Sequence, residues 1–355
     1  MLVAIIMAGG SGQRFWPLSN EEHPKQLLKL FSDKTMIRET VDRILPVIPR
    51  ERIFIATNVK QAEEIKKELP FIPEKNIIVE PKFRDTAACI GYASIYVKKI
   101  LGECNFIVLP SDHLIGNRNS FLKIIEDGEK LIEKPGRIVI FGIKPDKPET
   151  AYGYIEAGGE RMGKAFMVSS FKEKPVLEVA KEYLARGNYY WNSGMFMWSG
   201  KTILSHIEEL MPEHWQILES IDKLLGDSID EDLLSSAFDR FEKISIDYGV
   251  MEEAEDVVVL PADIDWNDIG NFTALDEIFN HGENGSVIRV HQGEQVVEHR
   301  SHDNIIINEG HKKIIATLGI EDTVIVETDD VLLVCKKEEA QDIKSLLKKI
   351  HEGGA

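Results

Sequence analysis

Cysteine is scarce in this 355-residue chain. Cys89, Cys104 and Cys335 are an odd number and form no CxxC pair. That excludes a disulfide framework and a cysteine-built zinc site, and it points to a reducing, cytoplasmic setting. Long apolar runs are also missing. The opening LVAIIMA is short, follows no basic stretch and runs straight into Gly9 and Gly10, so it reads as a buried first strand and not as a signal peptide. No later run is long enough to span a bilayer. Positive charge is in deficit, with 42 Lys and Arg against 60 Asp and Glu, for a net charge of −18. Such a field repels a polyphosphate backbone, so nucleic acid is not an expected partner, while a local basic pocket for a small phosphorylated ligand stays open. The ten histidines form no HExxH pair.

What is present is the composition of a folded protein: 43% hydrophobic and 29% charged residues, on a length that suits one large domain and one smaller one. Short β-branched or apolar runs at Leu2–Met7, Arg52–Ala56, Asn76–Val79, Phe106–Leu109 and Arg137–Phe141 predict strands. Between them, Thr35–Leu45, Lys60–Leu69, Ala87–Leu101 and Ser120–Glu133 have helical apolar spacing. This alternation predicts an α/β fold: a Rossmann-like, mixed but mainly parallel sheet with helices on both faces. After Tyr152 the pattern loosens, and one helical stretch is expected at Ser199–Leu225. A turn-rich breaker at His281–Gly285 sets the expected boundary near residue 282, giving domains 1–282 and 283–355. Beyond it, Asn304–Asn308, Lys313–Thr317, Thr323–Glu327 and Val331–Cys335 predict a small β domain resembling a β-helix, although without a strict hexapeptide repeat. An amphipathic helix, Lys337–Ile350, then leads to Gly353 and Gly354.

The first strand ends in Gly9-Gly10-Ser11-Gly12-Gln13-Arg14, followed by Trp16-Pro17-Leu18 and Pro24-Lys25-Gln26. Glycines there let backbone N–H groups approach phosphate oxygens. A dinucleotide fingerprint needs a third glycine and an acid ending the second strand, and this chain has neither. A phosphate loop of the GK(S/T) type is also absent. The loop instead offers two cations, Arg14 and Lys25, for a triphosphate. Asp112 follows a buried strand, where a carboxylate either holds Mg²⁺ or caps the next helix.

This glycine loop resembles the signature of the nucleotidyltransferases that make nucleotide-sugars, and its tryptophan and PKQ are similar to those of the mannose-1-phosphate guanylyltransferases. Seven further blocks follow in family order over roughly residues 3 to 272: Asp85–Ala88, Pro110–His113, Glu149–Ile155, Phe171–Pro175, Trp191–Phe196, Ser245–Tyr248 and Trp266–Gly270. The resemblance implies transfer of GMP from GTP to mannose 1-phosphate with Mg²⁺ as cofactor. It assigns Arg14 and Lys25 to catalysis, and Asp112 and Asp268 to the metal, with Asp268 preferred to Asp263 and Asp265.

The same resemblance places the nucleotide on Ala8, Gly9, Gly10, Ser11, Gly12, Gln13, Asp85, Thr86 and Ala88. Relatives often read Arg-Asn-Thr-Ala where this chain reads Arg84-Asp85-Thr86-Ala87, so Asp85 serves either as an acceptor for guanine N–H groups or as a helix cap. The sugar phosphate falls to Gly153, Glu173, Lys174 and Asn192. In an extended FKEKP strand, Lys172 and Lys174 share one face and Glu173 the other. His113 is not expected to act as a base, because the attacking phosphate oxygen is already ionised.

Two other readings stand beside this one. One is a nucleotidyltransferase for a different hexose 1-phosphate, and the other is a silent regulatory subunit that binds GDP-mannose. Retention of Arg14, Lys25, Asp112 and Asp268 argues against silence. The residues after the late strands are too few for the isomerase domain that some relatives carry, so no isomerase activity is expected. Relatives of this kind often pair through the β region, which makes a homodimer the expected assembly.

Overall fold

The computed structural model describes residues 1–226, 230–290, 295–310 and 314–353. Lys313 and Gly354 therefore lie outside the described residues. The chain forms two compact units. Unit 1 comprises Met1–Gly9, Ile37–Ser111 and Ile115–Trp266, and unit 2 comprises Gly10–Met36, Asp112–Leu114 and Asn267–Ala355.

Unit 1 is built on a nine-stranded sheet. Its strands are β1 (Leu2–Ala8), β2 (Ile53–Asn58), β3 (Ile77–Glu80), β4 (Asn105–Pro110), β6 (Ile138–Ile143), β7 (Tyr154–Met162), β8 (Ala165–Lys172), β9 (Tyr189–Ser199) and β10 (Val257–Pro261). A two-residue strand, β5 (Leu114–Ile115), stands apart from this sheet. The order is β3-β2-β1-β4-β9-β6-β10-β8-β7. The first four strands are parallel, β9 runs antiparallel to both β4 and β6, and β10 returns parallel to β6. The sheet is thus mixed with a parallel half, as the strand–helix alternation implies. Val3, Ala4, Ile5 and Ile6 are all 0% exposed, which explains why the first strand reads as an unbroken apolar run rather than an alternating one.

The expected helices form as α1 (Met36–Ile44), α2 (Ala62–Glu68), α3 (Asp85–Leu101) and α4 (Arg118–Leu131). The expected single stretch at Ser199–Leu225 is instead two helices. After α5 (Leu177–Arg186), α6 (Gly200–Leu210) stops before Pro212, and α7 (Pro212–Leu224) begins on it. Proline has no N–H to give to the preceding turn but suits the first position of a new helix. The helix α8 (Glu231–Asp239) follows, and α3, α6, α7 and α8 pack together, with Tyr92 meeting Phe238 edge to face.

Unit 2 is a coil of short strands joined to the segment after the first strand. A two-residue strand β11 (Trp266–Asn267) and the helix α9 (Ala274–Ile278) lead to β12 (Val287–Val290), β13 (Gln295–His299), β14 (Ile305–Asn308), β15 (Ile314–Leu318), β16 (Thr323–Glu327) and β17 (Leu332–Lys336). Successive strands alternate between two parallel ladders, β12-β14-β16 and β13-β15, and β17 closes the first ladder antiparallel. This is the β-helix-like coil, with β12 and β13 added to the four expected strands. The buried residues Val287, Ile305, Ile307, Val324, Val326 and Leu333 share one core with Phe15, Leu28, Phe272 and Ile343. The terminal segment is a 3₁₀ turn, Lys337–Asp342, followed by the helix α10 (Ile343–Gly353).

Candidate active site

The glycine loop carries the backbone from β1 into unit 2. Gly12 has φ +60°, and a Cβ there would lie 2.6 Å from both the backbone N and the Cβ of Lys25, so only glycine fits. Its carbonyl accepts a hydrogen bond from Ser19 Oγ at 2.6 Å, and the Gly10 carbonyl accepts one from Gln26 Nε2 at 3.2 Å. Phe15, 1% exposed, anchors the loop in the core of unit 2. A cavity of about 290 Å³ opens here, lined among others by Ser11, Gln13, Arg14, Lys25, Asp112 and Asp268. Gly12, His113 and Lys344 line it as well.

Lys25 is the hub of this cavity. Only 6% exposed, it donates from Nζ to Asp112 Oδ2 at 2.9 Å and to the Asp268 carbonyl at 2.7 Å. Burial pushes the Asp112 carboxyl up, but the neighbouring Lys25 and His113 charges and the Lys25 hydrogen bond outweigh it, and the group sits below its ordinary range. Asp112 caps no helix: α4 is capped by Asn117, which accepts from Ser120 N. The Asp268 carbonyl is aimed by its neighbour. Ile269 is fully buried at φ +51°, a left-handed conformation that a β-branched residue adopts rarely, and its N–H donates to Asn267 Oδ1 at 2.7 Å. Asp263 and Asp265 do not line the cavity. Asp265 lies instead against Gly116, whose N–H donates to the Asp265 carbonyl.

Unit 1 gathers the expected sugar residues. A Cβ on Gly153 would lie 2.3 Å from Glu173 Oε2, an oxygen that is buried and has no hydrogen-bond partner among the described residues. The expected face alternation at 171–175 does not occur. The strand β8 ends at Lys172, and Lys174 turns to φ +47°, which brings its ammonium back onto the Glu173 carboxylate. Burial opposes the Lys174 charge, but that bond and the Glu173 charge more than offset it and raise its pKa.

Asn192 donates from Nδ2 to Asp247 Oδ1 at 2.8 Å and accepts from Gly194 N at 3.0 Å. Asp247 opens a single π-helical turn, Asp247–Met251, and Glu252 at the end of that turn accepts from Glu173 N at 3.4 Å. Burial and then the Glu173 charge push the Asp247 carboxyl up to about 6. Sequence reasoning gave Asp247 no role, although it lies in the Ser245–Tyr248 block.

Of the expected nucleotide residues in unit 1, Ala8 is 1% exposed at the end of β1, where its carbonyl accepts from Thr57 Oγ1. Gly9 lies beside Glu80 and Phe83. Asp85, at φ +67°, accepts from its neighbour Thr86 N at 2.8 Å, so its carboxylate is a local cap. Thr86 Oγ1 accepts from Ile246 N, and Ala88 is 0% exposed within the core. Thr86 is half-buried in the first turn of α3, two residues before Ala88. The buried Glu80, 3% exposed, has an Oε1 with no hydrogen-bond partner among the described residues. Burial pushes its carboxyl up to about 8, with Asp85 adding to the rise and a bond from Cys89 opposing it. Phe83 is an exposed aromatic beside it, 49% accessible. Nothing in the sequence marks Glu80, because an acid closing an apolar strand is a common way to end one.

The nucleotidyl transferase family matches residues 3–285, and the mannose-phosphate isomerase/GMP-like β-helix domain matches residues 294–350. The chain is 37% identical over 360 residues to the mannose-1-phosphate guanylyltransferase of Klebsiella pneumoniae, covering 97% of this chain and 73% of that protein. Its fold is similar to the crystal structure of a mannose-1-phosphate geranyltransferase from Thermus thermophilus, with a TM-score of 0.86 and 32% identity over 99% of each chain. It is also similar to a mannose-6-phosphate isomerase from Helicobacter pylori, with a TM-score of 0.62 and 26% identity over 75% of this chain and 99% of that one. With an ion pair of Lys25 and Asp112 set in a glycine-lined cavity, and with relatives of this similarity, the chain belongs to the nucleotidyl transferase family, within its mannose-1-phosphate guanylyltransferase branch.

Proposed function

We propose that this protein transfers GMP from GTP to mannose 1-phosphate and releases pyrophosphate. The observation that carries the reading is Lys25, buried, bonded to Asp112 and to the Asp268 carbonyl, and facing the cavity of the glycine loop. An ammonium has three donors, which leaves one for an α-phosphate oxygen. Neutralising that phosphate lets the anionic sugar phosphate approach. One of its oxygens attacks the α-phosphorus in line, a new P–O bond forms, and the bond to the β-phosphate oxygen breaks with its electrons leaving on pyrophosphate. Arg14 and the loop N–H groups meet the charge that builds on the departing oxygen. No covalent enzyme intermediate is needed, and no base is needed at His113.

Two carboxylates in one cavity, one of them held ionised by Lys25, fit a Mg²⁺ ion, which asks few oxygens of a protein and leaves the rest to phosphate and water. Asp112 and Asp268 would hold it, and it would supply charge neutralisation at the phosphates. On the acceptor side, Gly153, Glu173, Lys174 and Asn192 take the sugar phosphate. Asp247 joins them as a hydroxyl acceptor, its Oδ1 held by Asn192 Nδ2. For the base, Glu80 in its ionised form offers two acceptors to the N1 and N2 donors of guanine, and Phe83 offers a ring face. The loop residues from Ala8 to Gln13, with Asp85, complete the nucleotide side.

Residues 1–282 are read as the catalytic domain and 283–355 as the β domain. Val297, Ile314, Leu318, Leu332 and Val334 form exposed apolar rows on the β strands, which favours a homodimer through this region. Among the described residues no helix is long and apolar enough to cross a membrane, and the three cysteines are free, consistent with a cytoplasmic protein. The test is pyrophosphate release across four nucleoside triphosphates and several hexose 1-phosphates. GTP with mannose 1-phosphate should give the highest kcat/KM. A preference for another sugar would assign a sister activity, and no turnover would favour a silent GDP-mannose-binding subunit.

A further inference from the structure

The C-terminal helix α10 belongs to the core that anchors the glycine loop: Ile343, 2% exposed, is buried with Phe15. The next residue, Lys344, is thereby fixed at the cavity, where it lines the wall with Ser11, Gly12, Arg14, Asp112 and Asp268. Every one of these residues lies in unit 2. The three cations of the cavity are not equivalent. Lys25 is engaged by Asp112 and the Asp268 carbonyl. The side chains of Arg14 and Lys344 have no hydrogen bond or ion pair among the described residues. Elsewhere in the terminal segment Lys337 pairs with Asp276 and Lys348 with Glu352. In a chain of net charge −18, two unpaired cations converging on one cavity call for an anion.

We propose that Lys344 is a binding residue for the outer phosphates of the nucleotide, so that the C-terminal helix completes the triphosphate site. The inference rests on the guanylyl-transfer reading and adds to it the residue that takes the leaving pyrophosphate. The charge on the outer phosphates exceeds what one guanidinium balances, and Lys25 is held at the Asp112 carboxylate and the Asp268 carbonyl. Lys344, on a flexible stem, is a point charge that can follow pyrophosphate as it departs. The β domain would then serve the chemistry directly, beyond any part in assembly.

The test compares ligands that have outer phosphates with ligands that lack them, using the full chain and the variants K344A, K344E and K344R. Dissociation constants are measured for GTP, inorganic pyrophosphate and GMP, together with KM for each substrate. Loss of one charge-assisted contact should weaken GTP and pyrophosphate about 10-fold in K344A, and more in K344E. GMP binding and the KM for mannose 1-phosphate should stay within about two-fold, and K344R should recover most of the loss. Pyrophosphate bound by K344A as tightly as by wild type would overturn the inference, and so would an equal loss of GMP, which would mark a structural role. Failure of the parent reading looks different: wild type would bind GTP yet release no pyrophosphate with any hexose 1-phosphate.

Discussion

Lys25 donates to the Asp112 carboxylate at 2.9 Å although 87 residues separate them in sequence. The same ammonium holds the Asp268 carbonyl, so one side chain fixes both residues assigned to the metal. Lys25→Met should therefore lower kcat about 10²–10³-fold, the scale for losing one preorganised contact to a reacting oxyanion. Steady-state pyrophosphate release measures this. A loss confined to the KM for GTP would show that Lys25 only binds.

Asp112→Asn and Asp268→Asn should each shift the rate-against-Mg²⁺ curve to higher concentration and lower its plateau. Mg²⁺ takes few protein ligands, so removing one of two leaves little selectivity for the ion. Titrating the rate with MgCl₂ at fixed GTP tests both variants. A curve that superimposes on that of wild type would remove the residue from the metal site.

The Glu80 carboxyl, raised by burial to about 8, makes a prediction about stability. Its folded pKa lies above its unfolded value, so the stability that its proton contributes is fully present below about 4.5 and is lost as pH rises toward about 8. Glu80→Gln should flatten that decline and stabilise the ligand-free protein by about 1–3 kcal/mol at pH 8. Above about pH 8, where Glu80 is ionised, the same variant should lose discrimination between GTP and ATP, since an amide presents one donor and one acceptor where the carboxylate presents two acceptors. Thermal melts from pH 5 to 9 and the two KM values check both halves.

Asp247, raised to about 6, should gain a proton as pH falls through that value and lose an acceptor for the sugar. GDP-mannose binding should weaken in wild type between about pH 7 and pH 5. Asp247→Asn should bind weakly at every pH, with no inflection near 6. Calorimetric titration across this range decides, and a wild-type constant that does not move with pH would exclude the role.

Stereochemistry tests the direct displacement. A GTP analogue with a chiral α-thiophosphate should give product with inverted configuration at phosphorus, as one in-line step requires. Net retention would require two displacements and a covalent enzyme intermediate.

Much of the fold could be read from sequence because burial left unbroken apolar runs, as at β1, and because the late strands are short and evenly spaced. The aromatic stretch 189–198 gave no such pattern. It is the central antiparallel strand β9, whose Phe196, Met197 and Trp198 are buried consecutively. The loop glycines, Lys25 and Asp112 were visible as motifs. Glu80 and Asp247 were not, since their chemistry comes from burial and from what packs beside them, and a lone acid in sequence carries neither. Lys344 was hidden for a different reason. In sequence it is one of several lysines on an amphipathic tail, and only the shared core of Phe15 and Ile343 brings it to the cavity.

That shared core also bears on synthesis. The glycine loop leaves the ribosome early, but Val324, Val326, Leu333 and Ile343, which share a core with Phe15, leave long after it. A nascent chain halted before these residues has the whole nucleotide signature and no surface on which to set it. Activity should therefore switch on only once the coil and its helix have emerged.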